Sequence, residues 1–314
     1  MSLVQRNAWT LGLLVLFVVL LGVTRAIQPG FGVSGLESLA RAALPFAFAT
    51  AAMAVVVIVG GIDLSVASMM AVCSVTAAVL MQSMGGVPAI LITLAVGTAM
   101  GLVNGALIVL TRVPDIVVTL AMLFVWQGTA LLILASPGGT ATDWMRSAIT
   151  GSVIVDGLPK ALVLVALVVA VVWVPVKRSK LGLAIYATGS DETAAYRSGV
   201  AVGRTRTLAY GIAGLFSACG GLGLLALTGV GEPVPGPYLL AAVASVVLGG
   251  VILGGGIGGL LGPIIAVFIL RIIRTILTLA AVDPNVTTIV EGTIMVGVVM
   301  FGAVLVLRSR GAGP

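Results

Sequence analysis

A succession of apolar runs, each near the length of one membrane crossing, constrains this chain more than any other feature. A helix needs roughly 20 apolar residues to cross the hydrocarbon core. Runs of that order occur at 8–24, 43–61, 64–84, 88–110, 115–135, 161–176, 207–230, 238–255, 260–280 and 288–307. Only 8% of the 314 residues are charged, and the mean hydropathy is +1.26. Soluble domains average about 25% charged residues; so few charges cannot clothe a soluble surface. The pattern predicts an all-α integral membrane protein with about ten transmembrane helices, at least one of them broken, in one domain spanning 1–314. The run from Ala8 to Val23 follows Arg6 as in a signal sequence. The residues after it, Thr24 to Pro29, make a poor cleavage site, so it reads as a retained first helix.

The charges that remain are unevenly placed. Lys177, Arg178, Lys180, Asp191, Glu192, Arg197, Arg204 and Arg206 fall within thirty residues. Basic residues collect on the cytoplasmic side of a membrane protein. With the N-terminus inside, the inner loops hold Arg6, Arg112, the six basic residues of 177–206, Arg308 and Arg310. The outer segments, chiefly 25–42 and 136–160, hold Arg25, Arg41, Arg146 and Lys160. Both termini are therefore expected in the cytoplasm, with 177–206 as a cytoplasmic loop. Trp144 is expected at the outer interface.

Several chemistries are excluded. There is no histidine, which removes the commonest general base and metal ligand. No zinc-protease motif and no P-loop occurs, so neither a membrane metalloprotease nor ATP binding through a P-loop is expected. Gly254, Gly256 and Gly259 match a dinucleotide fingerprint in letters only, because no βαβ unit surrounds them. The run from Gly249 to Gly262 reads instead as a tight cytoplasmic turn between close-packed helices. The net charge of +6 follows loop topology and does not suggest nucleic acid. Cys73 and Cys219 read as small buried residues.

Polar residues inside the apolar runs are the candidate functional groups. Gly60-Gly61-Ile62-Asp63-Leu64-Ser65 interrupts one long apolar stretch. Asp63 either caps the next helix or lines a pathway at a broken helix, where exposed backbone must meet protein or water. Gly97, Gly101 and Gly105 form a doubled GxxxG for close packing, and Asn104 is placed to hydrogen-bond across that contact. Thr119 and Gln127 share a helix face and suggest a polar pathway. Arg271 and Arg274 must avoid lipid. Glu291 and Asp283 are their candidate partners, in an ion pair or beside a substrate.

Together these pieces resemble a permease subunit of an ABC sugar importer of the ribose type, with relatives in branched-chain amino acid uptake. The resemblance rests on Gly60 through Val66, Val103-Asn104-Gly105, Val118-Thr119-Leu120, Gly182 through Gly199, and Ala242 through Gly250 with the glycines to Gly262. It covers about 40–305. It departs at Ala67, Gln127 and Leu240, where Gly, Arg and an acidic residue are usual; the last two bear on substrate choice.

The resemblance implies a permease dimer, homo- or heteromeric, in the bacterial inner membrane. It implies two cytoplasmic ATPase subunits that hold ATP and magnesium, and a periplasmic or extracellular solute-binding protein. No cofactor is expected in this chain, and no covalent chemistry. Asp63, Ser65, Asn104, Thr119 and Gln127 become candidates for the solute path or gate. The resemblance also places a coupling helix for the ATPase at 182–199, carried by Asp191, Glu192, Ala194, Ala195, Arg197, Ser198 and Gly199. The residues themselves favour a short helix there, about 190–199. Ser190 can cap it, Asp191 and Glu192 suit the first turn, Arg197 the last, and Gly199 the stop. An ion-coupled secondary transporter is the competing reading, with Asp63 as its titrating group. A membrane enzyme is disfavoured by the missing catalytic motifs.

Overall fold

The computed structural model describes residues 8–153 and 157–311, and among them the chain is all-helical. Helices α1 (Ala8–Ile27), α2 (Val33–Ile58), α3 (Val66–Met84), α4 (Gly86–Thr111) and α5 (Asp115–Ile133) come first. A short α6 (Asp143–Ala148) precedes α7 (Lys160–Arg178), α8 (Lys180–Ser190) and α9 (Glu192–Arg197). The chain ends with α10 (Val202–Thr228), α11 (Tyr238–Leu248), α12 (Leu261–Leu279) and α13 (Pro284–Gly311).

Among the described residues, eight helices are long and apolar enough to cross a membrane: α1 to α5, α7, α10 and α12. The expected count of about ten is therefore not reproduced. The run at 238–255 yields only the 11-residue α11, about 16 Å long at 1.5 Å per residue. Its helix stops where the glycines begin. The run at 288–307 lies within α13, whose side chains from 301 onward are outside the described residues, as is Arg6. The segment at 25–42 is not an extended loop either. Helix α2 starts at Val33 and takes in Arg41.

Burial sorts the helices. In α2, α3 and α10, 72–83% of the apolar window is buried; in α1, α5 and α7 the share is 11–17%. The first three form the core, and the others turn leucine, valine and phenylalanine outward. The doubled GxxxG explains one interface. Gly97, Gly101 and Gly105 of α4 lie against Gly214, Ala218, Tyr210 and Thr207 of α10, with backbone approaching backbone. Helices in lipid gain most from such close packing, because apolar side chains are already solvated by lipid tails. Cys73 is buried in this region and Cys219 partly so; both are free thiols.

Two breaks interrupt the bundle. Helix α2 ends at Ile58, and the chain turns through Gly60, whose φ of +94° is a conformation that glycine alone adopts cheaply. The second break runs from Gly249 to Leu260, between α11 and α12. Gly249 and Gly262 meet backbone to backbone at its mouth, which matches the tight turn expected from the sequence. The breaks touch. The Gly256 N–H donates to the Ile58 carbonyl at 2.9 Å, and Gly189 of α8 lies directly against both.

A buried polar network and its link to the charged segment

The first break carries a chain of hydrogen bonds. Asp63 is fully buried, and its Oδ1 accepts the Ser65 hydroxyl at 2.6 Å and the Ser65 N–H at 2.8 Å. Ser65 Oγ accepts from Asn104 Nδ2 at 2.8 Å, and Asn104 Oδ1 accepts from Trp126 Nε1 at 3.2 Å. Three helices are thus tied to the break by one line of side chains. Buried polar groups need such partners, since an unpaired one costs roughly 1–3 kcal/mol. Asp63 Oδ2 is buried with no partner among the described residues.

The structure joins most of the predicted path residues, though not as expected. Asp63 precedes α3 and bonds the N–H of Ser65, the N-cap residue, instead of capping α3 itself. Asn104 does not reach across the glycine contact to α10. It turns to Ser65 and Trp126, because α10 lies so close to Gly101 and Gly105 that no side chain fits between. Thr119 is buried and donates to the Ile62 and Asp115 carbonyls at 3.2 and 2.8 Å. Gln127 is half-buried and makes no side-chain hydrogen bond among the described residues. The neighbouring Trp126, not among the residues expected on the path, is the α5 side chain that joins the network.

A second cluster borders the same break. Arg206 of α10 donates to Asp115 at 3.0 and 3.1 Å, and the Tyr210 hydroxyl donates to Asp115 Oδ2 at 2.8 Å. Tyr210 also lies 3.5 Å from the Ile62 carbonyl. A side chain at Gly61 would strike both the Asp115 carboxylate and the Tyr210 hydroxyl. On its other edge Arg206 approaches Glu192 of α9 at 3.6 Å. The break and the charged segment are therefore two ion pairs apart. The sequence reading missed this node. Its signal was present: Arg206 and Tyr210 are four residues apart, on one helix face.

The charged segment holds two helices where one was expected. Helix α8 occupies 180–190, capped by Ser179, which accepts the Gly182 N–H at 3.3 Å. Ser190 ends α8 and bonds the Tyr186 carbonyl, so it does not cap α9. Asp191 does, accepting the Ala194 N–H at 2.9 Å. An anionic cap also suits the positive end of the helix dipole. The stop at Gly199 is as expected: φ is +84°, and Gly199 and Val200 donate back to Tyr196 and Ala195. That pairing is the Schellman closure. Of α9, only Ala195 is buried. Glu192, Ala194, Arg197, Ser198 and Gly199 are exposed, and Tyr196 presents 73% of its surface. Tyr186 anchors α8 to the second break by donating to the Gly258 carbonyl at 2.8 Å.

Of the two arginines in α12, Arg274 pairs with Glu291 at 3.0 Å. Asp283 does not join them; it accepts from the Asn285 N–H at 2.8 Å.

Comparison with known proteins adds a separate line of evidence. Residues 35–299 match the family described as branched-chain amino acid transport system, permease component. The chain is similar to the autoinducer 2 import system permease protein LsrD of Escherichia coli (strain K12), at 31% identity over 97% of this chain and 95% of that one. It is similar to the same extent to the protein of that name from Shigella flexneri. No solved structure matches the chain.

Proposed function

Because this chain belongs to the family of permease components of branched-chain amino acid transport systems, we propose that it is the membrane-spanning permease of an ABC importer for a small, sugar-like solute. Autoinducer 2, which the similar permease proteins are named for, is one such solute. The chain sits in the bacterial inner membrane with both termini and the charged segment in the cytoplasm. A solute-binding protein delivers the solute from outside, and a second permease, identical or related, completes the pore. ATP and magnesium bind partner ATPases, and this chain opens and closes the path by alternating access.

The observation that carries this reading is the juxtaposition of α9 with the first break. Helix α9 is short, closed at both ends and exposed on nearly all sides. Aromatic side chains dominate the energetics of protein interfaces, so Tyr196 is the natural anchor for an ATPase cleft. Movement of α9 reaches Glu192, then Arg206, then Asp115 and Tyr210, which border Gly61 and Ile62. The residues Asp63, Ser65, Asn104 and Thr119 hold the far side of that break and act as its gate.

Reconstitution tests the reading. Proteoliposomes carrying the permease with its ATPase should take up solute only with binding protein outside and ATP inside. Uptake by the permease alone on an ion gradient would instead identify an ion-coupled transporter.

A further inference from the structure

Arg271 is a partly buried charge that the network above leaves unexplained. It lies ten residues into α12, about 15 Å along the helix, or half the thickness of the hydrocarbon core. Its guanidinium makes no hydrogen bond or ion pair among the described residues, and its Nε is buried without a partner. The neighbouring charges do not satisfy it, since Glu291 is taken by Arg274. The remaining contact is with a ring: Cζ stands 4.8 Å from the centre of Phe46, which in turn packs on Tyr238 at 4.5 Å. An arginine at this depth is costly and marks a functional site unless its neighbours satisfy it.

Space lies on both sides of Arg271. Toward the connection between α1 and α2 is an open cleft of about 470 Å³, lined by Gln28, Ser34, Ser38, Arg271 and Thr275. That volume is in the range of small-molecule pockets. On the other side is a narrow cavity of about 40 Å³ bordered by Ser245, Arg274 and Glu291. This is room for only roughly two or three water-sized groups. Ser245 is 1% exposed, and its hydroxyl also lacks a partner.

We propose that the cleft and the cavity are the outer and inner chambers of a solute-binding site, with Arg271 as the partition between them. The inference rests on the importer reading above and names where that solute binds. The chemistry selects a small polyhydroxylated ring compound of monosaccharide size. Its oxygens accept from Arg271 and Ser245, and its C–H face lies on Phe46. The open cleft receives the ring. The inner cavity accepts it only when α13, which carries Glu291, moves away. On this reading the buried network around Asp63 controls the break, and the solute itself passes along α12.

The experiment uses the complete importer in proteoliposomes with a panel of pentoses, hexoses and autoinducer 2. With binding protein saturated by solute, Arg271→Gln and Ser245→Ala should lower the rate of uptake roughly tenfold or more. Arg271→Lys should recover part of the loss. In a second arm, Ser245→Cys is treated with 2-sulfonatoethyl methanethiosulfonate, and the parent chain with Cys73 and Cys219 serves as the blank. Labelling should appear during ATP turnover and fall when the imported sugar is present. Unchanged uptake at saturating binding protein in a folded Arg271→Gln complex overturns the proposal. So does a Ser245→Cys that stays unlabelled throughout the cycle, and this near-isosteric variant answers even if Arg271→Gln fails to fold. A wild-type complex that imports none of the panel with ATP overturns the importer reading instead, and is recognised without any variant.

Discussion

Arg206 holds Asp115 at 3.0 Å on one edge of its guanidinium and faces Glu192 at 3.6 Å on the other. The two contacts differ in kind. Asp115 is 13% exposed and also accepts from Tyr210, whereas Glu192 is 58% exposed. The inner pair fixes the bundle, and the outer one is free to form and break.

A double-mutant cycle separates them. Glu192→Gln should cost no more than about 1 kcal/mol of stability, as exposed pairs do. Arg206→Gln should cost about 2–3 kcal/mol, because it strands a largely buried carboxylate. Thermal unfolding in detergent measures both. In the assembled importer, Arg206→Gln should leave ATP hydrolysis intact and depress uptake per ATP. A complex in which uptake and hydrolysis fall together would show that the residue serves assembly and not transmission.

Helix α9 should act as the ATPase dock. Tyr196→Ala removes a ring that is 73% exposed, so the melting temperature should stay within experimental error. Affinity for the ATPase should drop by about 2 kcal/mol, roughly thirtyfold. Binding measured by microscale thermophoresis would decide it; unchanged affinity places the dock elsewhere. Combining Glu192→Lys with Arg197→Glu should abolish association.

The ends of α9 have their own test. Asp191→Ala removes the cap at a cost of about 1 kcal/mol, and Gly199→Val forces a β-branched residue to φ +84°, a costlier change. Both should weaken ATPase binding while sparing the core, so hydrogen exchange should quicken in 191–200 and nowhere else. Protection lost evenly across α2 and α10 would contradict this.

Asn104→Leu should destabilise the bundle by about 1–3 kcal/mol, because Ser65 and Trp126 both lose a buried partner. The indole of Trp126 reports the change directly through its fluorescence. A blue shift without loss of stability would mean that the network is dispensable.

The apolar periodicity made the helices legible, and the glycine spacing made the α4–α10 contact legible. Asp63, Ser65, Asn104 and Thr119 were recognisable as a group because polar residues in an apolar run must find one another. Which partners they found was not readable. Asn104 sits beside Gly105, but the closeness that Gly105 permits is what drives the amide to the other face. Trp126, and not Gln127, joined the network for a similar reason: a one-residue step on a helix turns a side chain by about 100°, and only the packed bundle selects the angle. Helix α8 was hidden because its charged flanks look like a loop. The Arg206 node was hidden because Asp115 lies 91 residues from Arg206 and 95 from Tyr210 in the chain.

The meeting of Ile58, Gly189 and Gly256 is made of main chain. Its hydrogen bond joins a carbonyl to an amide, and the side chain of Tyr186 bonds the main chain beside it, at Gly258. Such a joint carries no information about what is transported. On the solute path proposed above, substitutions along α12 would retune solute choice without touching the place where the two breaks and α8 meet. The same joint is intolerant in a different way, since a single methyl group at 189 or 256 has nowhere to go. On that proposed path, specificity and mechanics are written in separate residues, so that drift in one would leave the other intact.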